Sequence, residues 1–72
     1  MPKWEYTEVV FEYIGSPLCA VARDGKDLGI AKVGEKQKIY PKFRAYLNQL
    51  GKEGWELVAM VQNRAYLKRL IE

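Results

Sequence analysis

The side chains that could do chemistry are few in this sequence, and their types exclude most familiar active sites. The 72 residues include no histidine, so no imidazole is present to act as a base near neutral pH. Glu53 and Glu56 flank a Gly-Trp pair, and two carboxylates can share acid and base roles. We interpret Glu53 as a helix-end residue and Glu56 as a solvent-facing strand residue. Ser16 precedes a proline and has no catalytic partner in sight, so we predict that the protein is not an enzyme.

Metal and cofactor sites are disfavoured in the same way. Cys19 is the single cysteine, which rules out a disulfide within one chain and, without histidine, a metal site built from thiolate and imidazole ligands. We interpret Cys19 as a small, half-buried hydrophobic residue. The glycines follow neither the P-loop spacing nor the dinucleotide-binding spacing and are interpreted as turn residues. The sequence therefore predicts no catalytic, metal-binding or cofactor-binding residues.

A basic stretch in the middle of the chain is the remaining chemical signal. Residues 23–44 contain seven basic and three acidic side chains, whereas the whole chain has a net charge of +3. Four of these cations, at residues 36–44, crowd the predicted start of a helix, where free backbone N–H groups attract anions. The pattern predicts that a phosphate-bearing ligand or an acidic partner binds close to Tyr40, which is available for stacking. The candidate anion-binding residues are Lys36, Lys38, Tyr40, Lys42 and Arg44.

Two other interpretations of residues 36–44 remain open. The stretch can be a solvated basic face whose charge only aids solubility. It can also be a nucleic-acid surface, because basic and aromatic residues are interleaved in it. Nucleic acid is the less favoured partner, because Phe43 and Tyr46 fall on the apolar stripe of the helix that is expected to face the core. A net charge of +3 also produces only a weak electrostatic field.

The elements that must position these residues begin with a helix. Apolar residues recur at helical spacing from Phe43 to Leu50, and Pro41 suits the first helical position, where its missing N–H would be unpaired anyway. Gly54 is the expected left-handed residue that ends the segment. We therefore predict a helix over residues 41–53.

The spacing of apolar residues changes to that of a strand directly after the glycine. We predict a strand over residues 54–61 and a final antiparallel strand over residues 65–71. Trp55 opens the first of them and is expected to fill the core between helix and sheet. The second face of this sheet is expected to be partly exposed and to form an association surface. The candidate association residues are Val58, Met60, Tyr66 and Leu70.

The first part of the chain predicts a long strand and then an insertion. Residues 4–14 alternate in the manner of a strand. Asp24-Gly25 is typical of a two-residue type I′ turn, so residues 18–33 predict an inserted hairpin, with a mobile loop as the alternative. The residues expected on the core side of the first strand are Val9, Phe11 and Tyr13.

The sequence LNQLGKEGWELV at residues 47–58, with WEY at 4–6 and YLKR at 66–69, resembles the small bacterial and phage domain family DUF4177. The resemblance covers these segments and does not extend over residues 15–38. DUF4177 is a family of unknown function, so the resemblance implies a fold and gives no catalytic residues.

These elements predict one small α+β domain over residues 1–72, with a mostly antiparallel sheet of three to five strands and one helix packed on one face, in the order β-(ββ)-α-β-β. A chain this short gains burial by self-association, so a homo-oligomer is expected. No signal region and no membrane-spanning run is found, so the expected location is the cytoplasm. The favoured function is a non-catalytic, self-associating structural or adaptor role through protein–protein contacts. The alternative is binding or sequestering a small anionic, nucleotide-like ligand through residues 36–44.

Overall fold

A computed structural model of the chain describes residues 2–31 and 38–71. Within these residues the chain forms seven strands and one helix. Their bounds are β1 Lys3–Tyr13, β2 Leu18–Arg23, β3 Lys26–Asp27, β4 Ile30–Ala31, β5 Lys38–Ile39, α1 Phe43–Lys52, β6 Glu56–Val61 and β7 Arg64–Ile71.

Five of the strands form one sheet in the order β3-β2-β1-β7-β6, and every neighbouring pair is antiparallel. β4 and β5 form a separate two-stranded ribbon. Helix α1 packs on one face of the sheet, where its buried side chains join those of β1, β2 and β7 in a single core. The predicted α+β fold is therefore confirmed, with five strands in the main sheet. No helix in the described ranges is long and apolar enough to cross a membrane.

Alternation along β1 places two of its apolar side chains in the core. Val9 and Phe11 are fully buried, and the Phe11 ring meets the Phe43 ring of α1 edge-on with the ring centres 4.7 Å apart. The predicted core side is confirmed at these two residues. It is wrong at Tyr13, which is 71% exposed, because Tyr13 ends β1 and pairs with Leu18 beside an exposed turn.

The predicted hairpin after β1 is confirmed for β2 and β3. Asp24 has a φ of 51° and Gly25 a φ of 83°, the two positive values that a type I′ turn requires. The returning strand is shorter than predicted, because the chain leaves the sheet after Asp27 and passes to β4 through Gly29. A Cβ atom on Gly29 would lie 2.7 Å from a Lys38 side-chain carbon, so only glycine permits this close approach. Residues 32–33 of the predicted hairpin lie outside the described residues.

Helix α1 begins two residues later than predicted. Pro41 is not its first residue, because the Pro41 carbonyl accepts a hydrogen bond of 2.8 Å from the Ala20 N–H. Lys42 forms an antiparallel bridge with Cys19 and has extended backbone angles, φ −73° and ψ 152°. The chain therefore runs alongside β2 before it turns into the helix, and backbone pairing with the sheet decides where the helix starts.

The end of α1 is closed by a Schellman motif. The Trp55 N–H donates to the Leu50 carbonyl at 3.0 Å, and the Gly54 N–H donates to the Gly51 carbonyl at 3.1 Å. Gly54 has the predicted positive φ, 93°. Leu50 and Trp55 are both buried, so the same motif that ends the helix also sets the tryptophan into the core.

Two glycines in this motif give a matched prediction with opposite signs. Gly54→Ala should lower the free energy of unfolding by about 1–2 kcal/mol, because a Cβ atom is strained at positive φ. Gly51→Ala should raise it by about 0.5–1 kcal/mol, because Gly51 is helical and a Cβ atom there meets only open space. Urea unfolding followed by circular dichroism measures both. Equal changes in the free energy of unfolding for the two substitutions would contradict the Schellman motif at the end of α1.

Candidate functional site

Strand β6 is the most exposed apolar element of the sheet. It lies at one edge and pairs with β7 alone among the described strands. All six of its residues are exposed, and five of them are apolar. Its large side chains, Leu57, Val58, Met60 and Val61, are between 42% and 55% exposed. An apolar edge strand of this kind offers unpaired backbone groups and side chains to another strand.

A β-bulge changes the direction of the side chains along β6. Leu57 is opposite Leu67 and Ala59 is opposite Tyr66, which leaves Val58 as the extra residue. Met60 then faces Ala65, a residue of the core side. The regular alternation predicted for this strand, which put Val58 and Met60 on one face, is therefore wrong at Met60.

The four candidate association residues consequently do not share one face of the sheet. Directly opposed residues of antiparallel strands lie on the same face, so Tyr66, opposite Glu8, and Leu70, opposite Trp4, lie on the face away from the helix. Met60 lies on the helix side. What they share is the neighbourhood of the β6–β7 edge, and Val58 and Met60 belong to β6 itself.

The helix does not cover β6 on its own side of the sheet. The buried cluster contains residues of α1, β1, β2 and β7 together with Trp55, and none from Glu56–Val61. Leu57 is opposite the buried Leu67 and is nevertheless 46% exposed. Both faces and the outer edge of β6 are therefore accessible in the monomer.

The face away from the helix is apolar as well, but charged side chains lie across it. The Lys68 Nζ atom lies 4.3 Å from the centre of the Trp4 ring. Arg64 donates a hydrogen bond of 3.1 Å to the Glu8 carboxylate. These contacts place charged groups over the central strands, whereas β6 has a charge only at Glu56, its first residue.

The candidate anion-binding residues do not converge on one site in the described part of the chain. Lys38 Nζ forms an ion pair of 2.6 Å with Asp27, so its charge is compensated. Hydrogen bonding to Asp27 raises the pKa of Lys38 above its ordinary value. Lys42 and Arg44 are exposed and line neither of the two cavities described below. Lys36 lies outside the described residues.

Tyr40 lines an apolar chamber of about 320 Å³ between the β4–β5 ribbon and the helix. Burial raises the pKa of the Tyr40 hydroxyl above its ordinary value, and the neighbouring Asp27 adds to the effect. A single amide side chain, Gln49, also reaches the chamber. Its other walls are Leu28, Ile30, Ile39, Pro41 and Tyr46.

Trp55 has the buried position predicted for it, with 8% of its surface exposed. The sequence did not indicate that two guanidinium groups contact its ring: the Cζ atoms of Arg23 and Arg69 lie 5.2 Å and 4.4 Å from the ring centre. Arg69 also donates a hydrogen bond of 2.6 Å to Glu5, its partner across the sheet. The indole N–H is buried without an acceptor among the described residues. Strand register brings these groups together, so no local sequence signal could have revealed them.

A cluster of polar residues at the β2–β3 hairpin fixes the guanidinium group of Arg23. Arg23 Nε donates to the Thr7 hydroxyl at 3.0 Å, and that hydroxyl donates to Asp24 at 2.6 Å. The Glu8 N–H donates to the other Asp24 oxygen at 2.9 Å. The Thr7 hydrogen bond, aided by the Glu8 N–H, holds the pKa of Asp24 below its ordinary value. Asp24 is therefore ionised and directed at β1.

Glu53 was considered for catalysis and Cys19 for metal binding, and neither has a partner of that kind among the described residues. The Glu53 carboxylate accepts a long hydrogen bond of 3.4 Å from Gln49 one helical turn earlier. Cys19 is buried and free. Within residues 2–31 and 38–71, no three potential ligands come close enough together to hold a metal ion.

Comparison with known proteins finds no family model, no curated protein and no solved structure that matches this chain. The resemblance to DUF4177 therefore stays a prediction from the sequence.

Proposed function

We propose that this protein is a non-catalytic association domain that pairs with a second copy of itself through β6. The observation that supports the proposal is the exposed apolar edge at Glu56–Val61, which carries one charge and no proline. Natural sheets protect such edges with lysine, proline, bulges or a covering element, because an open edge is a template for another strand. β6 has one bulge and neither of the two residue types.

The side-chain directions along β6 suit pairing with an identical strand. The bulge puts Leu57 and Met60 on the same side, so an antiparallel arrangement can set Leu57 of one copy opposite Met60 of the other. In that register Val58 is opposite Ala59, and both face away from the helix. The arrangement is two-fold symmetric, which is the commonest symmetry of homo-oligomers. A second copy therefore fits this edge without a mismatch of faces.

The size of the chain also supports self-association. With 72 residues the protein is near the lower limit for a self-sufficient core, and its fully buried side chains larger than alanine are only Phe11, Leu50 and Val9 among the described residues. Pairing two edges would bury apolar surface that a single chain leaves in water. Membership of the DUF4177 family and a cytoplasmic location are further parts of the proposal, and both are supported by the sequence alone.

Sedimentation equilibrium of the unmodified protein over a wide concentration range tests the proposal. The mass should rise from 8.4 kDa at low concentration to twice that value at high concentration and then stop. A single-chain mass at every concentration would exclude self-association. A mass that keeps rising would exclude the closed two-fold pair and indicate open-ended edge contacts.

A further inference from the structure

Two cations lie directly opposite each other on the β2–β3 hairpin. Arg23 and Lys26 are cross-strand partners that flank the Asp24-Gly25 turn. Like charges in this position destabilise a strand pair. Among the described residues, neither side chain forms a salt bridge that would relieve the repulsion. The charge of Asp24, which lies in the turn between them, is the nearest compensation for both cations, so the hairpin keeps an excess of positive charge at this point.

The Arg23 side chain is held in place. Its Nε atom donates to the Thr7 hydroxyl at 3.0 Å, and its guanidinium carbon lies 5.2 Å from the centre of the Trp55 ring. These contacts use Nε and the flat face of the group, and the terminal nitrogens have no hydrogen-bond partner among the described residues. A fixed guanidinium with free terminal N–H groups suits a carboxylate, sulfonate or phosphate oxygen.

Both cations line a cavity of about 300 Å³ that adjoins the apolar chamber. The two cavities share two walls, Leu28 and Tyr46. Asp24 also borders the cationic cavity, but hydrogen bonds from Thr7 and the Glu8 N–H engage its two oxygens. We call these two neighbouring cavities the depression: its apolar end has a volume of about 320 Å³, and its charged end is lined by two cations, Arg23 and Lys26, and one carboxylate, Asp24.

We propose that this depression binds an amphipathic anion, with a compact apolar body in the chamber and an anionic head between Arg23 and Lys26. Ligand sites are typically apolar with a few polar groups that fix orientation, and these two cavities divide those roles. The charged end of the site is distinct from the cations of residues 36–44, which line neither cavity in the described part of the chain, whereas Ile39, Tyr40 and Pro41 of that segment line the apolar chamber. The site is also distinct from the β6 edge, so the test of this proposal does not depend on self-association.

Fluorescence titration with anilinonaphthalene sulfonate, an aromatic anion, tests the proposal against phenylnaphthylamine, a neutral compound with a similar body. Lys26→Glu should weaken binding of the anionic probe roughly tenfold, because a charge-assisted contact is lost, and leave the neutral probe nearly unchanged. Ile39→Ser, in the chamber wall, should weaken both probes. Lys26→Glu gains an attraction to Arg23 and loses one to Asp24, so urea unfolding followed by circular dichroism should show a stability close to that of the unmodified protein and separate lost binding from unfolding.

Arg44→Glu is the matched control, since it makes the same charge reversal at an exposed position outside both cavities. Equal losses for Lys26→Glu and Arg44→Glu would overturn the proposal in favour of a diffuse charge effect. Loss of the anionic probe on Val58→Lys would overturn it in favour of dye binding at the β6 edge. Displacement of the probe by octanoate would identify an acyl anion, and displacement by adenosine monophosphate a nucleotide. Displacement by neither would overturn the proposal.

Discussion

Replacing Trp55 with alanine is expected to remove most of the stability of this protein. Trp55 is buried, with 8% of its surface exposed, and it lies in the same cluster as Leu50 and Leu67. Removing a buried tryptophan typically lowers the free energy of unfolding by about 3–5 kcal/mol through lost apolar burial and the cavity that remains. At about 0.05–0.15 kcal/mol per residue, a chain of 72 residues has a total stability of about 4–11 kcal/mol, so this loss is a large part of it.

Two further contacts should make the loss larger than burial alone. The guanidinium groups of Arg23 and Arg69 would lose the ring that they contact. The Schellman motif at the end of α1 would lose the apolar contact between Trp55 and Leu50 that accompanies its hydrogen bonds. The substitution therefore acts on the helix end, the sheet and the polar cluster at once.

Trp4→Ala is the matched control for this prediction. Trp4 is 40% exposed on the face away from the helix and contacts Lys68. Its removal should lower the unfolding free energy by only about 1 kcal/mol, in the range of exposed cation–π contacts and partial burial. Urea unfolding of both variants, followed by far-ultraviolet circular dichroism, gives the comparison. Similar losses for the two tryptophans would contradict the assignment of Trp55 as the centre of the core.

Val58→Lys is expected to abolish self-association while leaving the monomer folded. Val58 is 54% exposed, so a lysine there can reach water in the single chain. In the two-fold pair each copy would bring a positive charge close to the symmetry axis. Apposed like charges cost several kcal/mol, which corresponds to weakening of the dimer on the order of a hundredfold or more. Sedimentation equilibrium should then give the single-chain mass.

Leu70→Lys distinguishes association through the β6 edge from association through the open face of the sheet. Leu70 has a comparable exposure, 50%, but it belongs to β7 and faces away from the helix, opposite Trp4. Edge pairing through β6 should be insensitive to this substitution. If Leu70→Lys gives monomers and Val58→Lys does not, the copies associate through the open face and the proposed β6 contact is wrong.

The sequence was sufficient for features that depend on a few neighbouring residues. Gly54 has the left-handed φ that ended the predicted helix, and Asp24-Gly25 forms the predicted type I′ turn. Val9 and Phe11 occupy the predicted core side of β1. In each case backbone sterics or a two-residue alternation restricts the local conformation strongly, whatever the rest of the chain does.

Predictions that required knowledge of pairing partners were less successful. Pro41 was expected to start the helix, but its carbonyl pairs with Ala20. Met60 was expected beside Val58, but the bulge moves it to the helix side. Lys38 was predicted to bind an anionic ligand, and in the structure Asp27 of another strand forms an ion pair with it. Ala20 and Asp27 are distant in sequence from Pro41 and Lys38, and the bulge that redirects Met60 is a property of the paired strands β6 and β7 rather than of one strand.

The sequence by itself determined the α+β class, the helix exit into Trp55 and the hairpin turn, because glycine conformation and apolar spacing are local properties. Only the tertiary structure decided the candidate sites. Strand order left β6 at an uncovered edge, and a one-residue bulge assigned its side chains to faces. The Asp24-Gly25 turn places Arg23 opposite Lys26, but packing of the hairpin against α1 decided that both line a cavity together with Tyr46 of the helix. Strand order and packing depend on contacts between distant parts of the chain, and in a strand ladder a shift of one residue changes every neighbour.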